Sequence, residues 1–122
     1  MELDFGDTMV EYRWDAAAEG WARSQNGTPH VDADDQLVAP TNVVVQFVSY
    51  GRSSADGRSP EAVLIGEGAA WVFTDGRVIV GTWERDSSTE ATRYLDEAGE
   101  LIALEPGSTW VALPRVGQAQ LL

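Results

Sequence analysis

The sequence predicts an all-β domain, an antiparallel sandwich or partly open barrel built from hairpins and joined by long polar loops. Three observations carry this. Apolar residues recur with a period of two, β-branched and aromatic residues fill the runs between turns, and turn residues return about every ten positions. At 122 residues the chain has the length of one domain, spanning 1–122. A hydrophobic content of 43% with five Trp is that of a globular chain rather than a disordered one.

Each element has its own warrant. Thr8 to Trp14 is rich in β-formers, and Asp15-Ala-Ala-Ala-Glu-Gly20 leads to a second run, Trp21 to Ser24, so the two form a hairpin with Gly20 available for a positive φ. Gln25 to Pro40, with Asn26-Gly27, two prolines and three Asp in four positions, is turn chemistry. Asn42 to Tyr50 (NVVVQFVSY) is apolar on both faces in its first half, which places it inside a sheet. Gly51 to Pro60 is polar and Gly/Ser-rich, expected as a mobile surface loop open to proteolysis.

Ala69 to Thr74, then Asp75-Gly76, then Arg77 to Trp83 is a hairpin on a type I′ turn, because both central residues of that turn need positive φ. Such a turn pairs Thr74 with Arg77 and Phe73 with Val78. A third hairpin runs from Ala91 to Asp96 and from Glu100 to Leu104, with Gly99 in its turn. Ser108 to Leu113 is expected as the last strand, and the tail near 115–122, which has no usable period, as disordered or loosely packed.

Charge narrows the partners. Twenty acidic residues against eight basic ones, all Arg, give a net charge of −12. Such a surface repels phosphate backbones and anionic headgroups, which disfavours nucleic acid and direct membrane binding. With no cysteine, disulfides, thiolate catalysis and Cys-ligated zinc are excluded. No run approaches the roughly 18 apolar residues of a membrane span, and Met1 to Asp7 lacks the regions of a signal peptide.

Candidate site residues are few. His30, the only histidine, lies two positions before Asp32, and a His–carboxylate pair serves acid–base chemistry or metal ligation. A histidine that fixes its loop through the backbone is the plainer alternative, as is a solvated acidic loop for Asp32, Asp34 and Asp35, whose sequence breaks the calcium-loop pattern at Gln36 and Leu37. Trp83 and Arg85, two apart on one strand, project from one face and with Tyr12 and Trp14 would make an aromatic platform for a glycan or peptide. Against it stands the plainer reading that Trp14, Trp71, Trp83 and Trp110 are mostly core, since aromatics dominate the burial energy of a small β-domain. Gly66-Glu67-Gly68 precedes a strand rather than a helix, so it suits a bulge or close strand crossing and not a phosphate loop. No serine stands in a nucleophile elbow.

An ordered set of motifs adds a family. Gly20-Trp21-Ala22-Arg23, Gly27-Thr28-Pro29-His30-Val31-Asp32, Asn42-Val43-Val44-Val45-Gln46, Gly66-Glu67-Gly68, Thr74-Asp75-Gly76-Arg77, Gly81-Thr82-Trp83-Glu84-Arg85, Thr92-Arg93-Tyr94-Leu95-Asp96 and Leu104-Glu105-Pro106-Gly107-Ser108-Thr109-Trp110 occur in that order. From Tyr12 to Leu113 the chain resembles the C-terminal domain of the YerB-like bacterial lipoproteins, a family of unknown function. Trp21 stands where that family commonly has Tyr. The resemblance implies an extracytoplasmic address, with the membrane reached only through a lipid on an N-terminal part absent from this chain. The expected partners are that N-terminal domain or a cell-envelope ligand. It implies no reaction, cofactor or metal. The expectation is therefore a non-catalytic binding or structural module contacting its ligand through Arg23, His30, Asp32, Trp83 and Arg85. The alternative is an envelope hydrolase or metal-dependent enzyme centred on His30, Asp32 and Arg23.

Overall fold

The computed structural model describes residues 1–52 and 60–121. Twelve strands and no helix are described. The first sheet contains β12(Ala119–Gln120), β1(Glu2–Asp4), β2(Met9–Asp15), β3(Gly20–Gln25) and β4(Thr28–Pro29) in that spatial order, antiparallel throughout. The second runs β10(Arg93–Leu95), β9(Arg77–Arg85), β8(Gly66–Thr74), β5(Asn42–Gln46), β11(Thr109–Ala112). A short hairpin of β6(Tyr50–Arg52) and β7(Pro60–Ala62) stands beside them. The two larger sheets form an open sandwich.

The alternation read from the sequence is what packs it. Val43, Val45, Phe47 and Phe73 turn one face of the second sheet toward Met1, Leu3, Val10, Tyr12 and Trp21 of the first, making the main core. On the opposite face Val48, Ala70 and Trp83 form a second cluster under Tyr50, Leu64, Tyr94 and Leu113. That covering explains why β5 is buried along its whole length. Two faces need two covers, and each cluster supplies one.

The β8–β9 hairpin has the predicted register, Thr74 opposite Arg77 and Phe73 opposite Val78, on Asp75 and Gly76 with φ of 48° and 74°. The β2–β3 hairpin also forms, but Glu19 rather than Gly20 takes the positive φ, at 50°. Gly20 serves proximity instead, since a Cβ there would lie 2.4 Å from the Ala39 carbonyl oxygen. The Gly51–Pro60 expectation falls mainly on residues 53–59, outside the described residues, while the flanks pair as β6 and β7.

Three features depart from the sequence reading. Arg93–Leu95 pairs chiefly with β9, and its expected hairpin partner after Gly99 contributes a single bridge, Leu95 to Leu101. The sandwich is not purely antiparallel, because β11 lies parallel to β5. The connection from β10 must cross to the far edge of its sheet, and Asn42 fixes the arrival by donating to the Glu105 carbonyl at 2.9 Å and to Thr109 Oγ1 at 3.1 Å. Nor is Ser108–Leu113 the last strand. Ala119 and Gln120 pair with Leu3 and Glu2, anchoring a tail in which Val116 is nonetheless 83% exposed.

Candidate functional site

Trp83 and Arg85 share a face, as their spacing requires, but it is the covered one. Trp83 is 2% exposed and its Nε1 donates to the Phe47 carbonyl at 2.8 Å. Gly68 makes the room, since a Cβ there would stand 2.6 Å from that nitrogen. The strand pairing runs through Gly66-Glu67-Gly68 without an extra residue, so there is no bulge: Gly68 serves close approach, and Gly66 a φ of 122°. Arg85 donates to the carbonyls of Glu90 at 2.8 Å and Ser88 at 2.9 Å, closing its own loop. An exposed Trp83–Arg85 platform is thus ruled out by burial and by the engagement of the guanidinium.

Asp32 is likewise occupied locally. Its Oδ1 accepts from the amides of Asp34 at 2.8 Å and Gln36 at 3.1 Å, shaping the turn that carries the Val31–Leu37 bridge. Asp35 takes a φ of 58° in that turn. The carboxylate is spent on backbone donors and does not orient the imidazole. Among the described residues no three His, Asp or Glu side chains gather as metal ligands would.

Arg23 and His30 do come together. The Asn26-Gly27 turn, with φ of 50° and 81°, folds the chain back so that the His30 amide donates to the Arg23 carbonyl at 2.9 Å. Val38 then donates to the His30 carbonyl at 2.8 Å, so the main chain at this position, and not the imidazole, holds the loop against β3. The side chains meet as well: Arg23 Nη1 donates to His30 Nδ1 at 2.9 Å, and its Nε to the Tyr12 hydroxyl at 3.2 Å. Because Nδ1 accepts, the fitting imidazole is the neutral ring with its proton on Nε2. Tyr12 sits opposite Arg23 in the β2–β3 register. Burial raises its phenol above the ordinary 10.0, with Arg23 partly opposing.

The second sheet completes the cluster. Trp110, on β11, lies edge-on to His30 with ring centroids 5.9 Å apart. The Arg23 guanidinium carbon is 5.6 Å from the Trp110 ring centre and 5.9 Å from that of Tyr12. At 37% exposed, Trp110 is not the core residue its strand suggested. The cluster therefore bridges the two sandwich sheets, with Arg23 of β3 and His30 just beyond β4 meeting Trp110 of β11. A shallow concavity of about 470 Å³, lined by Gln25, Asn26, Thr28, Pro29, His30 and Val31, adjoins it.

The ion pairs among the described residues belong to Arg13 and Arg93, so Arg23 has no carboxylate partner there. Nη1 also donates to Gln25 at 3.3 Å, and no described residue accepts from Nη2. A planar guanidinium between aromatic rings, with one nitrogen unengaged, suits a carboxylate and a flat or apolar group beside it. Trp110 was missed because an edge strand cannot be told from an inner one by period.

Comparison with known proteins gives a family and a fold. No curated protein matches the chain. The crystal structure of the YerB protein from Bacillus subtilis is similar, with a TM-score of 0.79 and 26% identity over 92% of this chain. The match takes in 39% of the YerB chain, so this domain corresponds to less than half of it. The family model described as the C-terminal domain of a protein of unknown function (DUF3048) matches residues 1–111. With the family model matching most of its length and YerB sharing its fold, the chain belongs to the DUF3048 C-terminal domain family.

Proposed function

We propose that this domain is a non-catalytic binding module of a bacterial cell-envelope lipoprotein, and that Arg23, His30 and Trp110 form its contact. The observation that carries the reading is Arg23: a half-buried guanidinium with no carboxylate partner among the described residues, in a chain of net charge −12. An acidic protein has carboxylates to spare, and a half-buried guanidinium flanked by aromatic rings without one is open to a ligand. The imidazole faces a cation rather than a carboxylate, which supports binding over proton transfer. The envelope address follows from the resemblance to YerB-like lipoproteins, whose lipid lies on an N-terminal part. The partner is an envelope ligand or the remainder of the longer polypeptide.

The test is co-sedimentation of the purified domain with insoluble cell-wall material. The wild-type domain is expected to pellet, and Arg23→Ala and Trp110→Ala to remain in the supernatant while still folded. Pelleting unchanged in both variants would remove the proposed contact. Release of soluble fragments by the wild-type domain would overturn the non-catalytic reading.

A further inference from the structure

Beside Arg23 lies a second, independent feature. β11 ends its sheet, paired with β5 on one side only. In a parallel ladder the residues of one strand alternate between bonding the neighbour and facing away. Asn42 donates to the Ser108 carbonyl and stands opposite Thr109, so Trp110 and Ala112 present their amides to β5. Thr109 and Val111 therefore turn both N–H and C=O outward, and no hydrogen bond from a described residue reaches those backbone groups.

Sheet edges are normally blunted by brevity, charge, proline or bulges. The other edges here follow that rule: β4 has two residues, one a proline, β12 has two and β10 has three. β11 has four, Thr109-Trp110-Val111-Ala112, with no charge and no proline, and Val111 is 50% exposed. An open apolar edge of this kind is a template for strand addition.

Resting on the binding reading above, we infer that the ligand is an extended peptide that pairs with the outer edge of β11 and places one carboxylate on Arg23. Alternate side chains of an added strand face opposite sides of the sheet. Those on the Trp110 side meet the indole and the guanidinium, and those on the other meet Val111. The charge of the domain limits the peptide's acidity. At net −12 a polyacidic segment is repelled, so the carboxylate stands alone among neutral and apolar residues.

The probe is a capped, soluble hexapeptide of alternating Val and Thr carrying a single Glu, compared with the same peptide carrying Gln. Binding is read by calorimetry and by the amide resonances of Thr109 and Val111. The Glu peptide is expected to bind about tenfold or more tightly than the Gln peptide, a preference lost in Arg23→Ala. Val111→Pro removes one outward N–H but no bond to β5, and is expected to abolish binding of both peptides with an unchanged melting curve. Val111→Lys, a charge of the kind that guards natural edges, is the second variant should proline unfold the strand. Equal binding of the two peptides, or full binding by both edge variants, overturns the inference. If cell-wall pelleting depends on Arg23 but survives both edge variants, the contact stands and the added strand falls. If neither pelleting nor peptide binding occurs, both fall.

Discussion

Replacing Asn42 by Ala gives the sharpest test of how this fold holds its site in place. The side chain is fully buried and makes four hydrogen bonds: Nδ2 donates to the Glu105 carbonyl and Thr109 Oγ1, and Oδ1 accepts from Thr74 Oγ1 at 2.6 Å and the Glu105 amide at 3.2 Å. These losses are unequal. Thr74 is 1% exposed, so its stranded hydroxyl costs about 1–3 kcal/mol. Glu105 and Thr109 are exposed residues whose groups regain water, at about 0.5 kcal/mol each. The sum is about 3 kcal/mol, a large share of the roughly 5–15 kcal/mol that holds a domain together.

With a urea slope of about 1.5 kcal/mol/M, the unfolding midpoint falls by about 2 M. Urea denaturation followed by tryptophan fluorescence measures it, and near-native solutions of the variant should show Trp110 loosened along with β11. Asn42→Asp loses both donors and should do no better at neutral pH. A midpoint shift under about 0.5 M would refute the reasoning, because it would mean that these bonds are matched in the unfolded chain or replaced at no cost.

Further outcomes follow from the same packing. Trp83→Phe strands the Phe47 carbonyl and should cost about 1–3 kcal/mol in urea unfolding. Gly68→Ala should also destabilise, yet less so in the Trp83→Phe background, where the indole nitrogen that its Cβ would meet is gone, and a double-mutant cycle reads that coupling. Burial raises the Tyr12 and Tyr94 phenols above 10.0, and the Tyr94 hydroxyl donates to Gln46 Oε1 at 2.7 Å. Both stabilise fully below pH 10 and lose that contribution as pH rises through their folded values, so stability should fall in alkali and fall less steeply in Tyr94→Phe. Arg23→Ala, which removes the hydrogen bonds to His30 and to the hydroxyl of the buried Tyr12, should cost about 1–3 kcal/mol and leave a folded domain by circular dichroism.

Where one residue's neighbours in sequence determine the structure, the sequence was legible. Asp75-Gly76 demanded its turn whatever lay elsewhere, and the register of β8 and β9 followed. The unbroken apolar run Val43 to Val45 likewise announced burial on both faces. Long-range choices left no local mark. Which face of β9 is covered decides that Trp83 is core, and nothing within β9 encodes the Tyr94 and Leu64 that cover it. β1 and β12 are short strands that exist only as each other's partner and β2's, so neither carries a period of its own. In the site, the Asn26-Gly27 turn made the approach of His30 to Arg23 readable, whereas Trp110 arrives from the other sheet through contacts 67 residues apart. Asn42 itself was visible as a polar residue opening an apolar strand, but its partners were not.

The parallel seating of β11 on β5 also sets the order in which this molecule can assemble. The β8–β9 hairpin closes across two residues and can form early, and β5 can then pair with β8. The other edge of β5, Asn42 to Gln46, waits for a strand that lies more than sixty residues downstream. On the ribosome, that valine-rich edge stays uncovered until residue 112 has emerged, at about 5–20 residues per second several seconds later. For this interval the nascent domain shows a longer template than β11 ever does, with three consecutive valines. Truncation before Thr109 should therefore yield aggregates rather than a loosened monomer, and the Asn42 peg marks the moment at which the hazard ends.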